Sequence, residues 1–279
     1  MAASNYTLYH CKNSRSLRPL WALEELGVAY TLHTLPFPPR VLEKSYLEIN
    51  ALGTVPCLID GETRLTESAA MCHYLAVRHA PETLAVPPDA KAYGAFLNWL
   101  YFSDATLTFP QTLVLRYTVL EPDRGLKEAA EDYAAFFAGR LKAVEAALDG
   151  RSFLVADRFT VADVCVGYGV YLASLLAPLK ARITPNAAAY LDRLMARPAF
   201  QRAVAADSSP ALRGLVAPWK GVGPGLWDRC PVRYPIPTHT PVLERSACPT
   251  QPPFPKTRSR PSVLRRSIAR RAKCPKSVR

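Results

Sequence analysis

Apolar and polar positions follow two different rhythms along this chain, and both stop near residue 207. The first third holds short β-favouring runs broken by loops, with one clear helix between them. Tyr6–His10 reads as a strand, Cys11–Arg15 as a loop, and Ser16–Leu26 as a helix with Ser16 at its cap. Pro19 fits only a helix's first turn, and Gly27 stands where a left-handed residue closes a helix. A second strand is expected over Ala29–Leu35, closing a β-α-β unit, then a proline-rich loop, Pro36–Arg40, and a weak helix, Val41–Glu48. From residue 91 the pattern is helical throughout. Helices are predicted over Lys91–Thr108, Gln111–Val119, Leu126–Leu148, from Val161 to about Ala177, Asn186–Ala196 and Ala199–Ala206. Pro110 should kink or divide the first pair. Leu126–Leu148 repeats apolar residues at i, i+3 and i+4 through Ala130, Tyr133, Phe137, Leu141, Val144 and Leu148. Ala80–Asp89, rich in proline, links the two regions.

Two stretches carry more than periodicity. In Phe159-Thr160-Val161-Ala162-Asp163-Val164, Thr160 and Asp163 form a capping box. Phe159 and Val164 sit where a hydrophobic staple would clamp the start of an all-apolar, central helix. The other stretch is Asn50–Ser68. Val55-Pro56 leads into the strand Cys57-Leu58-Ile59, Asp60-Gly61 supplies a tight turn, and a strand near Arg64–Thr66 precedes a helix opened by Glu67-Ser68. Proline cannot donate to a ladder, so Pro56 marks a sheet edge or a strand's first residue. If its bond is cis, the backbone of Val55 faces outward with an unpaired N–H and C=O, which could pair antiparallel with an extended peptide. Ser68 and its neighbouring amides form a helix N-terminus, which suits an anion. A peptide slot beside a carboxylate slot describes a receptor for a short peptide acid.

Charge alters the picture only when divided by position. Residues 1–207 carry 20 Lys and Arg against 21 Asp and Glu, whereas residues 208–279 carry 15 against 2. The overall +12 is therefore a property of the last quarter, which also holds 13 of the 26 prolines. That segment reads as a disordered, solvated basic tail rather than a nucleic-acid site. Seven cysteines without a CxxC pair fit a reducing, cytoplasmic setting, and the first ten residues lack a secretory pattern. The longest uncharged run, Val164–Leu179, is 16 residues, too short to span a membrane.

The motifs NSRSLRPLWALEELG (13–27), NALGTVPCLIDG (50–61), TES (66–68) and FTVAD (159–163), in that order and spacing, resemble the cytosolic glutathione transferases. The likeness is strongest to the bacterial and fungal type with an SRS loop. It implies a thioredoxin-like α/β domain over 4–81, an all-α domain over 90–207, and pairing as a homodimer. Glutathione would be the co-substrate, with no metal. Carried over, Val55 would pair with the cysteinyl backbone and Pro56 would be cis. Glu67 and Ser68 would hold the γ-glutamyl end, and Ser14 would donate to the sulfur. Thr54 and Ala51 stand where many relatives have lysine and proline, which leaves the glycyl carboxylate to Arg40 or Lys44. Tyr101, Phe102 and Phe109, in the aromatic-rich helices, are candidates for the second-substrate pocket.

Elementary chemistry favours a hydroxyl at Ser14. A thiol of pKa about 8.5 is only about 3% thiolate at pH 7, and the thiolate is the nucleophile. Lowering that pKa by about two units needs roughly 2.7 kcal/mol. One hydrogen bond to a charged acceptor supplies roughly 1.5–3 kcal/mol and a helix N-terminus roughly 0.3–1. Ser16, Tyr9 and Cys11 are the alternatives. Cys11 in a C-x-x-S with Ser14 raises a thiol reductase or peroxidase as a rival function, and a non-catalytic interaction module is another.

Overall fold

The computed structural model describes residues 6–207; the basic tail expected beyond Asp207 lies outside the described residues. A four-stranded sheet in the order β2-β1-β3-β4 forms from β1 (Tyr6–His10), β2 (Tyr30–Thr34), β3 (Cys57–Asp60) and β4 (Thr63–Leu65). β1 runs parallel to β2 and antiparallel to β3, and β3 runs antiparallel to β4. Strand side chains alternate between faces. Tyr6, Leu8 and His10 are buried on one face of β1, while Tyr9 points the other way and stacks on His33 and Tyr46. Helices α1 (Leu17–Leu26) and α4 (Ser68–His79) pack together. Two single-turn helices, α2 (Pro39–Leu42) and α3 (Tyr46–Ile49), replace the one weak helix expected.

The hairpin differs from expectation by one residue. Asp60 pairs with Thr63 inside the ladder, so Gly61 and Glu62 form the turn, with only Gly61 at positive φ (58°). That is the two-residue arrangement with glycine first, rather than the one needing positive φ at both positions. Gly27 closes α1 at φ 63° as expected.

The helical part consists of α5 (Tyr93–Phe102), α6 (Phe109–Leu115), α7 (Lys127–Ala147), α8 (Val161–Leu175), α9 (Ala177–Lys180), α10 (Pro185–Met195) and α11 (Pro198–Asp207). α8 is buried almost all round, and its capping box forms as the sequence implies, between Thr160 and Asp163. α1 packs against α8 and α11, so the sheet-bearing and helical parts share one core around Trp21. The break expected at Pro110 falls earlier. Ser103–Thr108 is π-helical, and Pro110 sits inside the first turn of α6. Proline has no N–H to continue the α ladder, and the register ahead of it has widened, with the Phe109 N–H meeting the Asp104 carbonyl. A second π turn, Arg116–Leu120, follows α6. Among the described residues no helix is long and apolar enough to cross a membrane, and no cluster suited to a metal ion is found.

Candidate active site

A cleft of about 510 Å³ opens between the end of β1, the loop before β3 and the helices α6 and α8. Ser14, Arg40 and Val55 line it, which brings together three of the residues expected from the sequence. Lys12 and Arg15 line it too, and no carboxylate does, so the cleft favours an anion.

Ser14 lies half-buried in the turn between β1 and α1, behind Asn13 in the left-handed region (φ 57°). The amides around it are mostly engaged. Ser14 N–H donates to the Cys11 carbonyl, Asn13 N–H to Asp207, and Ser16 N–H to Ser14 Oγ at 3.2 Å. Few free amides are therefore left ahead of α1, and the hydroxyl of Ser14 becomes the main donor. Its oxygen lies 2.6 Å from Ser16 Oγ. Ser16 stands at the cap position of α1 but makes no capping bond. Fully buried, its hydroxyl bridges Ser14 and His10 Nδ1, the latter at 2.7 Å.

The other sequence alternatives are placed differently. Tyr9 lies on the opposite face of the sheet, against His33 and Tyr46, and does not line the cleft. Cys11 is buried, with its sulfur 3.6 Å from the Pro36 carbonyl. Burial, and secondarily Asp207, push its thiol up to about 12, the reverse of what a redox nucleophile needs.

Val55 precedes the first ladder pair of β3, Cys57 with Tyr9. β3 is paired on both sides, so of the two alternatives for Pro56 the sheet edge falls away, and the proline stands immediately ahead of the first residue of an inner strand. The Val55-Pro56 bond is cis, as the resemblance implied, and so is Phe37-Pro38, which it did not. The loop is pinned from within. Asn50 Nδ2 and the Tyr46 hydroxyl both donate to the Thr54 carbonyl, at 2.8 and 2.7 Å. Gly53 makes the turn possible at φ 59°, and a Cβ there would lie 2.4 Å from Arg40 Cβ. Only glycine lets this loop close on α2, which sets Arg40 beside Val55. Lys44 is exposed and outside the cleft lining, so Arg40 is the better placed of the two cations.

Glu67, exposed, and Ser68, buried, begin α4. Arg18 holds Ser68 in place, and sequence reasoning passed over it because a lone arginine in an apolar helix resembles a surface residue. Arg18 is fully buried, and each of its five N–H groups has an acceptor. Nε donates to the Cys165 carbonyl. One terminal nitrogen donates to Ser68 Oγ (2.9 Å) and Asp104, and the other to the Ser103 carbonyl and Thr108 Oγ1. Tyr168 stacks its ring under the guanidinium at 4.9 Å. Ser68 is only 2% exposed, and neither it nor Glu67 nor Pro56 lines the cleft.

The apolar side of the cleft is aliphatic, formed by Leu115, Val119 and Leu120 with Leu172, Leu175 and Leu176, and by Phe37 at one edge. Tyr101, Phe102 and Phe109 do not line it. Tyr101 and Phe109 are exposed, and Phe102 packs on Trp99. No residue of α5 lines the cleft, and a helix apolar on most of its surface gave no signal of that.

Comparison with known proteins shows the family. The N-terminal domain model of the glutathione S-transferases matches residues 14–78, and the C-terminal domain model matches residues 113–198. A maize glutathione S-transferase 3 is 30% identical over 176 residues, spanning 60% of this chain and 78% of the maize protein. Glutathione S-transferase 3 of Schizosaccharomyces pombe is 25% identical over 179 residues, 60% of this chain and 73% of the yeast protein. Among solved structures, the Phanerochaete chrysosporium glutathione transferase URE2P6, crystallised with oxidized glutathione, superposes with a TM-score of 0.64. It is 25% identical and covers 73% of this chain and 96% of its own. The chain is a member of the glutathione S-transferase family.

Proposed function

We propose that this glutathione transferase binds glutathione extended along the cleft and adds its thiolate to a hydrophobic electrophile. The observation that supports this reading is a hydroxyl, Ser14, between the pinned loop that carries Val55 and an aliphatic wall, in a cleft lined by cations but no carboxylate. Val55 would pair with the cysteinyl backbone, with Pro56 holding the loop. Glu67 and Ser68 would take the γ-glutamyl amine and carboxylate, and Arg40 the glycyl carboxylate. Ser14 would donate to the sulfur, stabilising the thiolate by roughly 1.5–3 kcal/mol, enough for most of the pKa shift required. The thiol proton leaves to solvent. The sulfur lone pair then forms a C–S bond as the leaving group departs with its electrons, or as a strained ring opens.

The aliphatic residues from α6, α8 and the second π turn would hold the electrophile. Residues 4–81 thus supply the peptide site, residues 90–207 the apolar one, and a cytoplasmic homodimer is the working form. The burial of Cys11 speaks against a thiol-exchange role for that residue. A conjugation assay over aryl halides, epoxides, isothiocyanates and hydroperoxides, with wild type and Ser14→Ala, tests the proposal. Turnover of at least one carbon electrophile, reduced about tenfold or more in Ser14→Ala, is expected. Absence of any conjugation, together with no retention on immobilised glutathione, would leave only an interaction module.

A further inference from the structure

Behind Ser14 runs a chain of polar side chains that the conjugation chemistry does not by itself require. Ser14 Oγ lies 2.6 Å from Ser16 Oγ, which lies 2.7 Å from His10 Nδ1. On the far side of the ring, His10 Nε2 lies 2.7 Å from Asp207 Oδ1. His10, Ser16 and Asp207 are all buried. We propose that His10 and Asp207 are positioning residues that fix the direction of this chain, so that the Ser14 proton points into the cleft.

The argument is a count of protons and lone pairs. A hydroxyl has one proton and two acceptor sites. Ser16 Oγ already accepts the Cys11 N–H, at 3.3 Å. If His10 Nδ1 is bare, Ser16 points its proton at that nitrogen. Its remaining lone pair then takes the proton of Ser14, which is left presenting only lone pairs to a thiolate. If Nδ1 carries a proton, both acceptor sites of Ser16 are filled, so Ser16 takes no proton from Ser14 and turns its own to Ser14 or to the Cys11 carbonyl, 3.2 Å away. Ser14 also accepts the Ser16 N–H, at 3.2 Å, so its proton can point only into the cleft. Asp207, as a carboxylate, can only accept, and it stands 2.7 Å from Nε2. Ser14 thus points into the cleft only when both ring nitrogens carry protons, the form in which His10 and Asp207 make a buried ion pair at 2.7 Å.

Among the described residues, the groups facing this pair are these. Cys11, on the strand's own loop, has a thiol held neutral by burial. From α8, burial raises the phenols of Tyr168 and Tyr171; Arg18 and then Arg15 pull Tyr168 back, and the charge of Asp207 raises both. From the loop before α1, the Asn13 N–H donates to the same carboxylate.

This inference rests on the Ser14 reading, and its test separates the two. The full-length chain is prepared as wild type, Ser14→Ala, Ser16→Ala, His10→Phe, Asp207→Asn and the Ser16→Ala/His10→Phe double variant. Each is followed by the pH titration of the bound glutathione thiolate near 240 nm, by kcat and KM for glutathione, and by Tm. His10→Phe should move the thiol midpoint upward by about one unit, a tenfold loss of thiolate near neutral pH, with KM changed by less than about threefold. Asp207→Asn keeps the volume and an acceptor for Asn13, and should move the midpoint the same way, which covers the case in which the His10 variant does not fold. In the Ser16→Ala background His10→Phe should have no further effect on the midpoint. A lowered Tm with an unmoved midpoint in both His10→Phe and Asp207→Asn would make the network purely structural and overturn the inference. So would an equal His10 effect with and without Ser16. If Ser14→Ala itself leaves the midpoint unmoved, the Ser14 reading fails and takes this inference with it.

Discussion

Replacing Arg18 should loosen the joint between the sheet and the helical part and at the same time weaken glutathione binding. The guanidinium joins α1 to α4 through Ser68, to the π turn through Ser103, Asp104 and Thr108, and to α8 through the Cys165 carbonyl. Arg18→Met keeps much of the stem's volume but removes all five donors. Breaking a buried ion pair by deleting one partner costs about 3–5 kcal/mol, because the other charge is left behind. The lower end applies here, since the Asp104 side chain is 28% exposed and Arg15 lies 3.7 Å away to share its charge. With about 2–4 °C per kcal/mol for a unit of this size, Tm should fall by roughly 6–12 °C. Arg18→Lys offers three donors for five acceptors and should fall between wild type and Arg18→Met. The assay is thermal unfolding alongside glutathione affinity measured calorimetrically. Affinity should drop by about tenfold, as Ser68 loses the partner that orients it. Adding Asp104→Asn to Arg18→Met should recover part of the lost stability, because no unpaired charge then remains. A Tm within about 2 °C of wild type in Arg18→Met would refute this account of the joint.

The remaining expectations concern the loop, the cysteine, the capping box and the aliphatic wall. Gly53→Ala puts a side chain at positive φ and into Arg40, so KM for glutathione should rise about tenfold with a smaller change in kcat, read by steady-state kinetics. Cys11→Ser should keep conjugation within about twofold, because the buried thiol, pushed up to about 12, takes no part in the chemistry. Burial pushes the Asp163 carboxyl up to about 6, so between about pH 4 and pH 6 the folded chain binds more protons than the unfolded one. Stability from that group is full below about pH 4 and is lost as pH rises through about 6. Unfolding of wild type and Asp163→Asn compared at both ends should therefore show a gap that narrows by up to about 3 kcal/mol toward neutral pH. Leu176→Trp, which narrows the cleft, should raise KM for bulky aryl electrophiles while leaving glutathione affinity unchanged.

How far the sequence reached depended on whether the cue was local. The capping box, the Gly27 stop and the order of strands and helices follow from neighbours in sequence, and they stand where the pattern puts them. The hairpin shifted by one residue because a glycine in the first turn position allows a turn that does not need Asp60. The π turn before α6 was not legible. It combines a proline without an N–H and a buried arginine from α1 that takes the Ser103 carbonyl, and only folding brings the two together. Arg18 and Asp207 share that difficulty, since their partners are remote and their residue types are ordinary on a surface. Tyr101 and Phe109 were misleading for the opposite reason: large aromatic residues suggest a pocket, yet both face outward and the cleft is walled by leucine and valine.

The central claim, that the Ser14 hydroxyl stabilises the glutathione thiolate in this cleft, is tested most directly by titrating bound glutathione. Ultraviolet absorbance of the thiolate is followed against pH in wild type and in Ser14→Ala at saturating glutathione. The account predicts a midpoint about two units below that of free glutathione in wild type, and one raised by at least about one unit in the variant. Coincident titration curves for the two proteins would contradict it.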